Sequence, residues 1–223
     1  MKTETEIGTK TKTDNDKKLL LHICCSPCLM YPYSTIASSN PDTLNSRKNS
    51  DKQSLDLNIK FDKIIGYFYN PNIHPYSEYL RREESLRKFA DIVDFKVIYE
   101  KDYGIEEFIR NVVFREENRC YYCIGSRLEK TAALAKSSKF THFSTTLLYS
   151  KHQDHDYIKE TGFNLQKKYG VNFYYEDFRQ GYKEGIELSQ RYGLYRQNYC
   201  GCIYSEKERF FSKFSSSKSL KFS

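Results

Sequence analysis

Hydrophobic positions along the chain fall into short continuous runs separated by amphipathic stretches. Leu19-Leu20-Leu21-His22-Ile23 is apolar almost throughout and of strand length, the pattern of a strand covered on both faces. Lys63 to Tyr69, Phe95 to Tyr99, His142 to Leu148 and Asn172 to Tyr175 read as four further strands. Helical spacing lies between them, over Leu29 to Ala37, Tyr76 to about Val93, Ile105 to Val113, Arg119 to Ala135, Tyr157 to Tyr169 and Gly185 to Tyr192. In the second of these, Tyr79, Leu80, Leu86 and Phe89 are expected on one inward side. Strands alternating with helices predict a single-domain α/β fold. Its parallel sheet would be flanked by helices through right-handed crossovers, in a Rossmann-like arrangement.

The polar stretches bound this domain. Residues 1–17 are almost wholly Thr, Lys, Asp and Glu and are expected to be a disordered tail. Residues 38–58 are a polar insertion, and residues 206–223 carry Lys207, Arg209, Lys213, Lys218 and Lys221 among serines, as expected of a mobile basic tail. The catalytic domain is therefore expected over residues 18–205. In open α/β sheets ligands sit beyond the carboxyl ends of the strands. That rule places Cys24, Cys25 and Cys28, the loop Asn70 to Pro75 and the loop Ser150 to His155 on one rim.

Composition narrows the class. With 223 residues and 39% hydrophobic content the chain can bury one substantial core. Lys+Arg 36 against Asp+Glu 29 gives a net charge of +7, a modest attraction for a polyanion. Tyr 20 and Phe 15 with Trp 0 is an aromatic-rich balance that suits a core and also stacking on bases. No run is long enough to span a bilayer, and Met1 to Lys18 has no apolar segment of a secretory signal, so a cytoplasmic protein with no membrane contact is expected. In that reducing compartment the 7 cysteines point to metal binding or catalysis rather than structural disulfides.

The cysteines cluster in three places. Cys24, Cys25 and Cys28 follow the first strand; Cys120-Tyr121-Tyr122-Cys123 opens a helix, whose N-terminus favours thiolates; and Cys200-Gly201-Cys202 lies near the end. Two Cys-x-x-Cys pairs suit a tetrathiolate zinc or a four-iron cluster equally by spacing. Cys200 and Cys202, one residue apart, can close only a small strained ring, which makes their disulfide labile and the pair a two-electron store. A dithiol beside a metal site points to reduction of a substrate. Among the histidines, His22 lies in the buried strand and His142 begins another, while His74 and His152 sit near motif positions. Asp154 and His155, in a polar loop at the rim, are candidate acids, and Lys151 and Arg196 are candidate phosphate contacts or plain surface charge.

Taken together, His22-Ile23-Cys24-Cys25-Ser26-Pro27-Cys28, Tyr67-Phe68-Tyr69-Asn70-Pro71-Asn72-Ile73-His74-Pro75, Cys120-Tyr121-Tyr122-Cys123, Thr145-Thr146-Leu147-Leu148-Tyr149-Ser150 and Tyr195-Arg196-Gln197-Asn198-Tyr199-Cys200-Gly201-Cys202 resemble the QueH-type epoxyqueuosine reductases. The resemblance runs from about Leu19 to Ser205, interrupted by the polar insertion. It implies an adenine-nucleotide hydrolase-like α/β fold. It also implies reduction of epoxyqueuosine to queuosine at the wobble position of tRNA, the last step of queuosine biosynthesis. A [4Fe–4S] cluster on Cys24, Cys25, Cys120 and Cys123 is implied with it, together with a redox pair of Cys200 and Cys202 and an electron donor whose identity the motifs do not carry. Cys28 is left as a further ligand, such as to an additional iron, a substrate-facing thiol or a buried bystander. No Ser-Gly-Gly-x-Asp-Ser loop follows the first strand, which argues against use of ATP. Two other readings compete: a zinc-binding tRNA module without redox activity, and a thiol–disulfide oxidoreductase acting on proteins.

Overall fold

The apolar run near the N-terminus forms the central strand. The computed structural model describes residues 16–38 and 59–218, with the side chains of 38 and 212–218 excepted. The expected tail over 1–15 and the insertion over 39–58 lie outside the described residues. Strand β1 (Lys18–His22) pairs in parallel with β2 (Lys63–Phe68) on one edge and with β4 (His142–Thr145) on the other. With β3 (Val97–Tyr99) and β5 (Asn172–Phe173) the sheet has five parallel strands in the order β3-β2-β1-β4-β5. Leu19, Leu20 and Leu21 are all fully buried, because helices cover both faces of the sheet. This is the expected α/β architecture, and its strand order reverses direction between β1 and β4.

Element boundaries differ from the expectation where local polar bonds outweigh periodicity. Helix α1 (Ser26–Ser38) starts earlier than expected, so Cys28 lies in its first turn, with Pro27 where a missing N–H costs nothing. Strand β4 stops at Thr145, whose hydroxyl accepts from Leu147 N at 3.1 Å and turns the chain into a 3-10 turn, Thr146–Tyr149. In α2 (Tyr76–Ile92) Leu80 is 46% exposed, whereas Glu78, Arg82 and Ser85 are buried. The helix faces inward with a polar stripe because those residues meet the segment that precedes Cys200. Helices α3 (Ile105–Val112), α4 (Arg119–Ser137), α5 (His155–Tyr169) and α6 (Tyr182–Arg191) complete the layers. The basic stretch after Glu206, expected as a tail, is helical in α7 (Ile203–Lys218).

Helix α5 lies close against the last strand. A Cβ at Gly162 would fall 2.2 Å from Cε1 of Phe173, inside contact distance. Gly162→Val is therefore expected to overpack this contact by about 1–3 kcal/mol. The melting midpoint should fall by several degrees, at about 2–4 °C per kcal/mol for a chain of this size. An unchanged midpoint by circular dichroism would show that the Phe173 ring moves aside freely.

Candidate metal and thiol site

The first wall of the site stands at the carboxyl end of β1, where the strand order reverses. There Cys24 N donates to Thr146 Oγ1 at 3.1 Å, tying the ends of β1 and β4 together, and the same hydroxyl donates to Cys24 Sγ at 3.3 Å. The chain turns at Cys25 and enters α1, which brings Cys28 back beside the first two thiols. The sulfurs of Cys24, Cys25 and Cys28 all lie within 4.8 Å of one another, with Cys24 and Cys25 at 3.8 Å. Thiolates sharing one tetrahedral ion at a metal–sulfur distance of about 2.3 Å stand about 3.8 Å apart, so this triad has the spacing of ligands to a single soft ion. Hydrogen bonds from Cys25 and Cys28 hold the Cys24 thiol well below its ordinary pKa. Burial pushes Cys25 up, and the bonds to Cys24 and Cys25 push Cys28 up. Among the three, negative charge is favoured on Cys24, with its neighbours as donors. Gln197 Nε2 adds a donor, 3.0 Å from Cys25 Sγ and 4.0 Å from Cys28 Sγ.

The second wall is the start of α4. Arg127, one turn beyond Cys123, is 2% exposed; its Nε donates to Cys123 O at 2.8 Å and its Nη2 to Cys123 Sγ at 3.0 Å. Its charge also acts on Cys200 and Cys24, so the guanidinium links the three cysteine groups. Burial pushes the Cys123 thiol up to about 12 despite Arg127, and partial desolvation raises Cys120 as well. The helix N-terminus does not by itself deliver thiolates here, because desolvation of the charged form outweighs it.

The third wall is the segment between α6 and α7. Arg82 of α2, 2% exposed, holds it from beneath. Its Nε is fixed by Glu78 Oε1 at 2.8 Å, while Nη1 donates to Cys200 O at 2.8 Å and Nη2 to Tyr199 O at 3.1 Å. Tyr195 OH completes the Glu78 carboxylate at 2.7 Å. His74 N donates to Gly201 O at 2.8 Å, and its ring bridges Ile203 N at 3.4 Å and Pro71 O at 3.1 Å. Gly201 has φ +154°, and a Cβ there would approach Asn72 Nδ2 to 3.1 Å. Cys200 Sγ accepts from Gln153 Nε2 at 3.2 Å, while Cys202 packs with Phe108 and Val112.

The predicted residues separate cleanly. Cys24, Cys25 and Cys28 come together directly; Cys123 and Cys200 join them through Arg127 and Cys202 through the Phe108 cluster, with Cys120 exposed at the margin. His22 is a satisfied core group, 2.9 Å from Thr145 Oγ1 and 3.1 Å from Tyr69 O, and burial lowers its pKa to about 4. Asp154 and His155 stand at the start of α5. Asp154 caps α5 by accepting from Tyr157 N at 2.9 Å, and buried His155 faces the charges of Arg179, Asp177 and Asp156. From that loop Gln153 is the side chain that reaches a thiol. Lys151 lies 4.3 Å over the Tyr182 ring, while His152 and Arg196 are exposed. His142 is near the opposite end of β4, beside Thr141.

Arg82, Arg127, Gln153 and Gln197 were not legible as site residues. The one available signal was helical spacing, since Arg127 follows Cys123 by one turn and Arg82 follows Glu78 by one turn. Asn70 Oδ1, Asn72 Oδ1 and Gln197 Oε1 are buried without a partner among the described residues, beside a soft donor set. These features fit a bound metal group. No helix among the described residues is long and apolar enough to cross a membrane.

A family model described as epoxyqueuosine reductase QueH matches residues 49–208. The chain is 36% identical over 193 residues to epoxyqueuosine reductase QueH of Dehalococcoides mccartyi, covering 86% of this chain and 94% of that one. It is 35% identical over 201 residues to the protein of that name from Thermotoga maritima, covering 86% and 91%. Against the one from Streptococcus pyogenes the identity is 32% over 201 residues, covering 85% and 70%.

Titrating the reduced chain anaerobically with Co²⁺ tests the triad. A thiolate-to-cobalt charge-transfer band is expected to saturate at one tightly held ion. Cys28→Ser should weaken that binding by about tenfold or more, since a thiolate is exchanged for a harder ligand, whereas Cys120→Ser should leave it in place. Equal losses in both variants would place the ion elsewhere.

Proposed function

The chain belongs to the QueH family of epoxyqueuosine reductases, and we propose that it reduces epoxyqueuosine to queuosine at the wobble position of tRNA, the last step of queuosine biosynthesis. The observation that carries this reading is the meeting of a three-thiol metal wall with a second dithiol at the switch point of the sheet. An epoxide plus two electrons and two protons gives an alkene and water. Oxidation of Cys200 and Cys202 to a disulfide supplies both electrons and both protons.

Cys24, Cys25, Cys120 and Cys123 would hold a [4Fe–4S] cluster, and Cys28, grouped with Cys24 and Cys25, would add a ligand for a further iron. Such a group supplies one-electron transfer and a Lewis acid for the epoxide oxygen. The protein's own residues orient and balance it. Gln197 fixes the Cys25 and Cys28 sulfurs, Thr146 fixes Cys24, and Arg127 offsets negative charge among the thiolates. Arg82 holds the backbone of the redox pair against this wall. The net charge of +7 and the exposed rings of Phe114 and Tyr121, at 94% and 47%, suit an RNA loop with splayed bases. A cytoplasmic setting would keep these thiols reduced.

Nucleoside analysis of epoxyqueuosine-containing tRNA decides the reading. With anaerobically reduced, iron-loaded protein, epoxyqueuosine should disappear as queuosine forms, and the protein should contain iron and acid-labile sulfide. Absence of any epoxide loss would overturn the function. Cys200→Ser and Cys202→Ser should each reduce multiple turnover with a chemical reductant to background; full turnover in either would show that the pair is not the electron store.

A further inference from the structure

The two sulfurs of Cys200-Gly201-Cys202 sit in different surroundings. Cys200 is exposed, with Gln153 Nε2 at 3.2 Å as its side-chain neighbour. Cys202 is 8% exposed and belongs to a small cluster with Phe108 and Val112, edged by Tyr122 and Tyr204. Gly201 turns the chain between them, and its φ of +154° is open to glycine in a space that Asn72, Ile73 and Arg82 enclose. The loop is held by Arg82 on Cys200 O and by His74 N on Gly201 O, at 2.8 Å each. The asymmetry is thus built into a clamped backbone.

We propose that Cys200 is the sulfur at which an external thiol reductant restores the oxidised pair, and that Cys202 is the sulfur expelled. This rests on the reading of the pair as an electron store. Thiol–disulfide exchange depends on which sulfur an incoming thiolate can reach and on how well the other leaves. Phe108 and Val112 cover Cys202, so approach is through Cys200. The departing sulfur is received by donors. Ser205 N lies 3.4 Å from Cys202 Sγ, the Arg119 guanidinium is near enough for its charge to act on it, and it precedes the first turn of α7, whose N-terminus favours negative charge.

The step balances with a dithiol donor. Its thiolate attacks Cys200 Sγ; the bond to Cys202 breaks, a donor–Cys200 disulfide forms, and Cys202 leaves as a thiolate that takes up a proton. The donor's second thiol then attacks its own sulfur in that mixed disulfide. The donor leaves as a disulfide, and Cys200 regains its proton. Two electrons and two protons have passed from donor to pair.

The test uses the full chain, iron-loaded and reduced anaerobically, with Cys200→Ser and Cys202→Ser variants whose melting midpoints are checked against the parent. Peptide mass spectrometry first asks whether mild oxidation of the parent joins Cys200 to Cys202. Glutathione disulfide is then the probe, because a mixed disulfide on Cys200 is the species of the first step. Cys202→Ser is expected to acquire glutathione at Cys200 at least about tenfold faster than Cys200→Ser acquires it at Cys202. Dithiothreitol should reduce the oxidised parent. Equal or reversed rates overturn the assignment of roles even where the disulfide forms. Reduction of the disulfide by one-electron donors but not by dithiothreitol overturns the donor class. Failure of the parent to form the disulfide at all removes the electron-store reading, and this proposal with it.

Discussion

Strand β1 is paired on both edges, with β2 on one side and β4 on the other, and everything else in the site follows from that position. A strand buried on both faces has no solvent to satisfy its backbone, so its partners must bond along its whole length. When the chain passes the end of β1 that requirement lapses, and the strands on either side lead their crossovers away in opposite directions. The space left there is lined by whatever the chain places just after the strand. Here that is Cys24, Cys25 and the first turn of α1, with Thr146 from the end of β4 closing the other side. A crevice at this point would form with any residues in those places. The thiols give it chemistry.

Charge balance is the second constraint. Arg82 and Arg127 are both almost fully buried, and burying a guanidinium is costly unless its donors are used and its charge is met. Arg82 is met by Glu78 and by two carbonyls of the redox segment. Arg127 is met by the carbonyl and sulfur of Cys123, with Cys200 and Cys24 close enough to feel its charge. The two cations approach the thiols from different helices. Negative charge on sulfur is compensated from both sides, and the three cysteine groups are held by bonds to their backbone and by side-chain donors to their sulfurs.

Much of the architecture was legible in the chain because burial leaves a simple trace. The apolar run at Leu19 to Ile23 and the alternation of strands with helices correspond to the observed sheet. Where the reading missed, a polar bond had replaced the hydrophobic signal. Leu80 was expected inward because it is apolar, yet the inward face of α2 is set by Glu78, Arg82 and Ser85, which find partners on a segment more than a hundred residues away. The 3-10 turn after β4 arises from the hydroxyl of Thr145, which apolar periodicity does not register. Asp154, a candidate acid by its chemistry and its loop, also caps α5, a bond that apolar periodicity does not show either.

By itself the sequence determined the fold class, the strands that form its core and the residue types available for chemistry. These follow from local periodicity and from the rarity of clustered thiols, both of which are properties of neighbours along the chain. The tertiary structure decided what meets what. Cys28 became a partner of Cys24 and Cys25 because α1 begins at Ser26 and folds it back within 4.8 Å of them. Cys200 and Cys202, chemically identical in the sequence, became unequal because one faces solvent beside Gln153 and the other faces Phe108 and Val112. Gln153, Gln197, Arg82 and Arg127 acquired their roles in the same way. A hydrogen bond depends on distance and direction in space, and no spacing along the chain encodes either for residues that the fold brings from its opposite ends.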